Sequence, residues 1–105
     1  MDIEKIRQLC AARKIEWTSH VSKRLLQRGI SSYEVETSIS NGVIIENYPD
    51  DYPYPSCLLM GKTMKKRILH IVCAINEDRL WIVTAYEPNL IEWEADYHTR
   101  KEKVQ

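Results

Sequence analysis

The sequence predicts an α+β fold in which N-terminal helices pack on a four-stranded antiparallel sheet and a short helical tail ends the chain. Two observations support this prediction: apolar residues recur at helical spacing through residues 2–41 and at strand spacing through residues 43–88. Helices followed by a run of strands are typical of one helical layer that covers one sheet. A length of 105 residues suffices for one such domain, and we expect residues 1–105 to form it.

Three short helices are predicted before the strands. The first spans residues 2–13, the second follows an extended segment at residues 15–17 and ends at Gly29, and the third ends near residues 41–42. Each helix begins with side chains that can cap free backbone N–H groups. These capping residues are Asp2, then Thr18 or Ser19, then Ser31 with Glu34 three residues later.

Four strands are predicted in the second part of the chain, from runs of β-branched and other apolar residues. The runs cover residues 43–46, 57–60, 68–75 and 80–86. Residues 48–55 are rich in proline, which cannot donate a ladder hydrogen bond, so we expect an ordered loop there. The predicted tail, residues 89–105, has apolar side chains at roughly helical spacing before a charged end: Ile91, Trp93 and Tyr97.

The composition is that of an ordinary folded domain, with 44% hydrophobic and 29% charged residues. Fifteen basic and fifteen acidic residues cancel, which counts against a general nucleic-acid coat but not against a local phosphate site. The three cysteines form no C-x-x-C pair, which favours a reduced, cytoplasmic setting. Since no basic stretch followed by an apolar run opens the chain, and no run of eighteen apolar residues occurs, neither secretion nor insertion in a membrane is expected.

A row of three potential cations is predicted along the second helix, where His20, Arg24 and Arg28 recur every fourth residue. Like charges at this spacing destabilise a helix slightly, so local folding does not explain the row. Arg matches phosphate oxygens with a planar fork, and His exchanges a proton near neutral pH. The row therefore indicates phosphodiester binding or cleavage, and the alternative is an ordinary solvated helix face.

His70 and Tyr86 are further candidates in the last two predicted strands. His70 lies in an apolar run, where a core imidazole with a hydrogen-bond partner is the alternative to a catalytic one. Its partner across the hairpin depends on the turn at residues 76–79, because a shift of one residue moves every side chain to the other face. A loop with an odd number of residues pairs His70 with Tyr86, whereas two or four residues pair it with Ala85. The alternative to a functional role for Tyr86 is a role in packing alone.

Two clusters of charged residues lie in or next to the predicted loops. The basic group follows Gly61 in the turn between the second and third strands, where it either holds an RNA backbone or simply forms a solvated loop. It consists of Lys62, Lys65, Lys66 and Arg67. The acidic group is more typical of turn formation than of a metal site, so neither a metal nor another cofactor is expected. It consists of Glu46, Asp50 and Asp51.

Several short motifs, taken in order over about residues 15–93, resemble a family of small prokaryotic proteins known only as a domain of unknown function. The motifs are Thr18-x-His20, Arg24, Arg28-Gly29-Ile30-Ser31, Tyr48-Pro49-Asp50-Asp51, Pro55-x-x-Leu58-Leu59-x-Gly61, Leu69-His70-Ile71-Val72 and Thr84-Ala85-Tyr86-Glu87-Pro88. That family is similar to a branch of the RelE/ParE toxin superfamily, whose fold is helices followed by an antiparallel sheet. The chain departs from its relatives at residues 76–79, where they tend to have a glycine.

The resemblance implies a toxin of a type II toxin–antitoxin system that acts as a metal-independent mRNA endoribonuclease. Its implied partners are single-stranded mRNA, free or on the ribosome, and an antitoxin that in this branch is often a small zinc-finger protein. From side-chain chemistry we assign roles to five residues. Proton transfer is assigned to His20 and His70, phosphate binding to Arg24 and Arg28, and stacking or proton donation to Tyr86.

Two other functions are compatible with the same sequence. One is a non-catalytic binder that holds a protein target through its sheet, as gyrase-directed members of the superfamily do, and the zero net charge favours it. The other is an adaptor whose sheet edge pairs with another chain. The oligomeric state and the RNA sequence preference do not follow from the sequence.

Overall fold

In a computed structural model of the protein, which describes residues 1–102, helices cover one face of a five-stranded sheet. The helices are α1 (Ile3–Ala11), α2 (Ser19–Gln27) and α3 (Ser32–Ser40). The strands are β1 (Ile15–Trp17), β2 (Val43–Tyr48), β3 (Ser56–Lys62), β4 (Ile68–Asn76) and β5 (Arg79–Tyr86).

The predicted four-stranded antiparallel sheet is wrong, because the extended segment after α1 joins the sheet as a fifth strand. The strand order is β1-β5-β4-β3-β2, and β1 runs parallel to β5 with Glu16 opposite Trp81. The sheet is therefore mixed. Three residues are too few for apolar periodicity to distinguish a strand from a linker, so only the long-range pairing reveals β1.

Local side-chain chemistry explains where the helices begin. The side chain of Asp2 accepts the backbone N–H of Glu4, and that of Thr18 accepts the N–H of Val21. Ser31 and Glu34 form the predicted capping box, in which each side chain accepts the other residue's backbone N–H. These bonds satisfy N–H groups that have no partner within a helix.

The hairpin between β4 and β5 combines a two-residue turn with a β-bulge. Asn76 pairs with Arg79, and the turn residues Glu77 and Asp78 have φ values of 52° and 56°, the positive values that a tight hairpin turn requires. The register then shifts beyond Cys73, because β5 contains one extra residue there. The bulge restores the pairing that an odd loop was predicted to produce.

Residues on the two faces of the sheet contribute to different cores. The face toward the helices carries the main core, to which β3, β4 and β5 contribute alternate side chains. These side chains are Cys57, Leu59, Leu69, Ile71, Cys73, Leu80, Ile82 and Ala85. On the opposite face, here called the outer face, Leu58 and His70 are also fully buried, although neither belongs to the main core.

The predicted helical tail is wrong as well. Residues 89–102, here called the strap, form turns and one isolated bridge. Side-chain oxygens of Asn89 and Asp96 each accept two backbone N–H bonds of following residues, at 2.9–3.0 Å. Such bonds give the backbone N–H groups an acceptor without a helix. Apolar spacing alone does not reveal these bonds, so it wrongly predicts a helix in this segment. Residues 103–105 of the predicted tail lie outside the described residues.

Candidate functional site

His70 and Tyr86 lie directly opposite each other on the outer face of the sheet. Their ring centroids are 5.5 Å apart, with the ring planes inclined at 61°. The pairing results from the bulge in β5, since an unbulged hairpin with the same turn would place Ala85 there. The structure thus brings together two of the five residues to which the sequence assigns a role in the chemistry.

The strap covers the His70 ring of this pair. Trp93, which is 1% exposed, meets His70 edge to face with ring centroids 4.6 Å apart. The carbonyl oxygen of Tyr97 lies 2.6 Å from Nε2 of His70. As a result His70 is 0% exposed, and solvent reaches it only if the strap moves.

The surroundings of His70 favour its neutral form. Because a carbonyl oxygen only accepts hydrogen bonds, Nε2 carries the proton that is donated to Tyr97, and Nδ1 is left as the unprotonated nitrogen. Nδ1 is buried and has no partner among the described residues, so a proton there would lack an acceptor. Burial lowers the pKa of His70 from its ordinary 6.5, and the hydrogen bond to Tyr97 opposes this change.

An ion pair between Glu46 and Arg100 fastens the strap beside these rings. Arg100 Nε lies 2.7 Å and Nη2 3.0 Å from the two carboxylate oxygens of Glu46, and the guanidinium carbon is 4.5 Å from the centroid of Trp93. Tyr48 donates its hydroxyl to the same carboxylate. The bond from Arg100 lowers the pKa of Glu46, whereas burial and the bond to Glu46 raise the pKa of Tyr48 to about 12.

Arg28 approaches the same end of the sheet from α2. Its Nη1 donates to the hydroxyl of Thr84 at 3.1 Å and to the carbonyl of Ala85 at 2.8 Å, at the part of β5 that β1 does not cover. Burial raises the pKa of Tyr86, and the charges of Arg100 and Arg28 act in the opposite direction. Arg28 therefore binds β5 at the residue that precedes Tyr86.

His20 and Arg24 lie further from the rings, on the exposed surface of α2. Along a helix, His20 is about 12 Å from Arg28. In residues 1–102, neither the His20 nor the Arg24 side chain has an ion-pair or hydrogen-bond partner. These two residues are thus available to an outside ligand, but the structure does not place them beside His70.

The predicted RNA-binding lysines and Arg67 have different environments. Lys62, Lys65 and Lys66 are exposed around the β3–β4 turn. Arg67 instead donates to the carbonyls of Arg28 and Gly29 at 3.1 and 2.8 Å, and forms ion pairs with Glu34 and Glu87 at 3.3 and 2.6 Å. Its donors are thus used within the chain, where they stabilise the end of α2.

Sequence reasoning missed Tyr48, Trp93 and Arg100, and it considered Glu46 only as a metal ligand. Alternation along β2 could have placed Glu46 and Tyr48 on one face, although a bulge between Ile44 and Glu46 interrupts it. Nothing local in the strap indicates that it folds back on the sheet. Together His70, Tyr86, Glu46, Tyr48 and Arg100 form what we call the outer-face cluster.

Neither a metal site nor a membrane span is found in residues 1–102. No group of three or more His, Cys, Asp or Glu side chains there is arranged to hold a metal ion. No helix in the same range is both long enough and apolar enough to cross a bilayer.

Comparison with known proteins identifies one family. A family model described as a domain of unknown function (DUF4258) matches residues 17–87, which is more than half of the chain. The matched segment runs from the last residue of β1 to the residue after β5 and therefore includes His70, Tyr86 and the cationic row of α2. Neither the curated proteins nor the solved structures contain a match to the chain.

Proposed function

The chain belongs to this DUF4258 family of unknown function, and we propose that it is a toxin of the RelE/ParE type that cleaves single-stranded RNA. In this proposal it is one half of a type II toxin–antitoxin pair, and an antitoxin of the zinc-finger class holds it inactive. The RNA is mRNA, free or on the ribosome, and cleavage needs no metal ion.

The proposed reaction uses the nucleophile that RNA itself contains. A base removes the proton of a 2′-hydroxyl, whose oxygen attacks the adjacent phosphorus while the bond from phosphorus to the 5′-oxygen breaks. A cation stabilises the charge that develops on the phosphate, and an acid protonates the departing 5′-oxygen. The products are a 2′,3′-cyclic phosphate and a 5′-hydroxyl.

The observation that carries the proposal is the arrangement of groups around the His70–Tyr86 pair. Nδ1 of His70 has no partner among the described residues and can accept a proton, and the Tyr86 hydroxyl can donate one. Arg28 approaches from α2 and Glu46 from β2, so a phosphate cation and a second base lie on either side. Arg24 and His20 extend this surface along α2 for the RNA backbone.

Cleavage requires the strap to move in this proposal, because His70 is fully buried beneath it. Three contacts hold the strap over the rings: the Tyr97 carbonyl on His70, the Arg100–Glu46 ion pair, and the packing of Trp93. Displacement of the strap frees both the imidazole and the Glu46 carboxylate. We infer that RNA or the ribosome supplies this displacement.

The test is RNA cleavage by purified protein in excess chelator. Arg100→Gln removes the ion pair that fastens the strap, and we expect it to cleave a fluorescent single-stranded RNA at least as fast as wild type. His70→Asn in that background should reduce cleavage by about 100-fold or more, since a general base contributes 10²–10⁴-fold. The cut ends should carry 2′,3′-cyclic phosphate.

His98→Gln is the matched control, because His98 is an exposed histidine of the strap that does not touch His70. Circular dichroism establishes that each variant is folded. Full activity of the folded His70→Asn variant removes His70 from the mechanism. If neither wild type nor Arg100→Gln cuts RNA, free or on ribosomes, the endoribonuclease proposal is wrong.

A non-catalytic binding module is the second candidate, and the complete burial of His70 favours it. In that case the outer-face cluster only anchors the strap, and an exposed surface holds a protein target. The exposed edge strand β2 is suited to pairing with another chain. Its signature is a stable complex with a protein, growth arrest on expression for a target-inhibiting toxin, and no RNA breakdown.

A further inference from the structure

A second concave site lies on the outer face, between the proline-rich loop and the beginning of β5. Its cavity is about 340 Å³ in volume, which is within the range of small-ligand pockets. Residues of the loop and of the sheet line it, including Asp51, Tyr52, Tyr54, Ala74, Trp81 and Val83.

Several side chains that line this pocket are aromatic, and several are unusually exposed to solvent. Tyr52 is 96% exposed, Val83 51% and Tyr54 41%. Exposed aromatic side chains around a concavity are typical of a binding surface, since a stable core would bury them. The main core lies on the other face of the sheet, so packing within the domain does not account for these residues.

The pocket combines aromatic rings with one polar group that can recognise a planar ligand. The indole ring of Trp81 lines the cavity, whereas its N–H is buried and has no acceptor among the described residues. Asp51 accepts a hydrogen bond from Ser56 with one carboxylate oxygen, and the other oxygen has no partner in residues 1–102. The site therefore offers one hydrogen-bond acceptor, the Asp51 carboxylate, beside aromatic rings.

We propose that this pocket binds an unpaired nucleobase of single-stranded RNA, an inference that rests on the proposed function and extends it to substrate recognition. Every base has a π face for Tyr52 or Tyr54, and a polar edge with at least one donor for the Asp51 carboxylate. The acidic side chains of Asp50 and Asp51 repel phosphate, so the pocket takes the base and leaves the backbone outside.

The position of the pocket matches this role. Val83 lines the pocket and Tyr86 belongs to the outer-face cluster, and the two are three residues apart on β5, about 10 Å. On β4, Ala74 of the pocket lies four positions from His70 of the outer-face cluster, a distance of about 13 Å. A short single strand can therefore place one base in the pocket while a phosphate a few nucleotides away reaches Arg28.

Binding of nucleoside monophosphates to the full-length protein tests the proposal without requiring cleavage. We use AMP, GMP, CMP and UMP as probes, with ribose 5-phosphate as the control lacking a base, and follow the indole N–H signal of Trp81 by NMR. Trp81→Phe identifies that signal among the three tryptophans. At least one nucleotide should shift it in a saturable manner, and ribose 5-phosphate should not.

Tyr52→Ala is the decisive variant, because its almost fully exposed side chain can be removed without disturbing the fold. We expect it to weaken nucleotide binding about tenfold, in line with the loss of one stacking ring. Tyr33→Ala is the matched control, since Tyr33 is 66% exposed on α3 and lies away from the pocket.

The outcomes separate this inference from the endoribonuclease proposal. A folded protein in which no base shifts the Trp81 signal, or in which ribose 5-phosphate shifts it equally, overturns the nucleobase site even if RNA is cleaved. The same holds if Tyr52→Ala binds the nucleotides as tightly as wild type does. Nucleotide binding that depends on Tyr52 supports the site even if the protein cleaves no RNA.

Discussion

His70 has a structural role in the fold and, in the proposed function, a chemical one. Its Nε2–H donates a hydrogen bond to the Tyr97 carbonyl, so one of the two ring nitrogens has a partner. The other nitrogen, Nδ1, has no partner among the described residues. A core histidine placed only for packing would be expected to have both nitrogens satisfied or to be replaced by an apolar residue. The unpartnered nitrogen is therefore the feature that distinguishes this site from an ordinary core position.

The lowered pKa of His70 gives the stability of the protein a defined pH dependence. Unfolding returns the imidazole to its ordinary pKa of 6.5, so below that pH the unfolded chain binds more protons than the folded one. The contribution of neutral His70 to the free energy of unfolding is complete above about pH 6.5. It is lost as the pH falls through the pKa that His70 has in the folded protein. One such group contributes a slope of at most about 1.4 kcal/mol per pH unit.

Urea unfolding at pH 5.5 and pH 7.5 measures this effect. We expect wild type to lose more stability than His70→Gln between the two pH values, by at most about 1.4 kcal/mol. The other ionisable groups around His70 do not titrate in this window, because the pKa of Glu46 is lowered and those of Tyr86 and Arg100 are raised. An identical pH dependence of stability in wild type and His70→Gln would contradict the assignment.

For single residues, the sequence predicted the kind of side chain at a position but not which residues that side chain contacts in the folded protein. The row of His20, Arg24 and Arg28 lies along α2 as its spacing predicts. The environment of Arg67 could not be predicted, because its partners are 20 to 39 residues away in sequence. Contacts at that separation depend on how the elements pack, and local pattern does not contain that information.

Among the elements, the register of the β4–β5 hairpin matters most for the candidate site. The two-residue turn alone would pair His70 with Ala85, and the extra residue in β5 moves Tyr86 into that place. A bulge leaves no periodic signal strong enough to predict, since it inserts a single residue without a characteristic side chain. The sequence therefore left both registers open, and only the paired strands distinguish them.

The contact between α3 and β3 depends on the absence of a side chain at Gly61. A Cβ there would lie 1.9 Å from the backbone carbonyl oxygen of Ser38, so the helix would have to move away from the sheet. We expect Gly61→Ala to lower the free energy of unfolding by about 3 kcal/mol or more, as in severe overpacking. Chemical denaturation measures this change.

Gly29→Ala is the control for this substitution. Gly29 has φ of +64° and open space around its Cα, so alanine there adds only backbone strain of about 1 kcal/mol. If the two variants are equally stable, steric contact with α3 is not what requires glycine at position 61.

For the molecule as a whole, Arg67 connects more parts of the chain than other charged residues do in the described range. From the start of β4 it reaches the C-terminal carbonyls of α2, Glu34 at the start of α3 and Glu87 after β5. Its side chain is 24% exposed, so these bonds are partly screened from water. Arg67 thereby links the α2–α3 junction to the sheet near Arg28.

We expect Arg67→Met to destabilise the protein by about 2 kcal/mol, because hydrogen bonds that involve charged groups contribute about 1.5–3 kcal/mol. Lys65→Met, an exposed position in the same turn, should change stability by less than about 0.5 kcal/mol. Thermal or urea unfolding compares them. Equal stability of the two variants would mean that Arg67 is an ordinary surface cation, free to contact RNA as the lysines are.

The sequence by itself determined the helix caps, the main strand runs, the exposed cationic row and membership of an uncharacterised family. The caps, the strand runs and the row depend on residues that lie close together in sequence. Apolar periodicity and capping patterns are visible directly in such short segments. The tertiary structure alone decided that Ile15–Trp17 joins β5, that a bulge places Tyr86 opposite His70, and that the strap buries His70. Each of these depends on contacts between distant segments, whose free energy exists only once the sheet has formed.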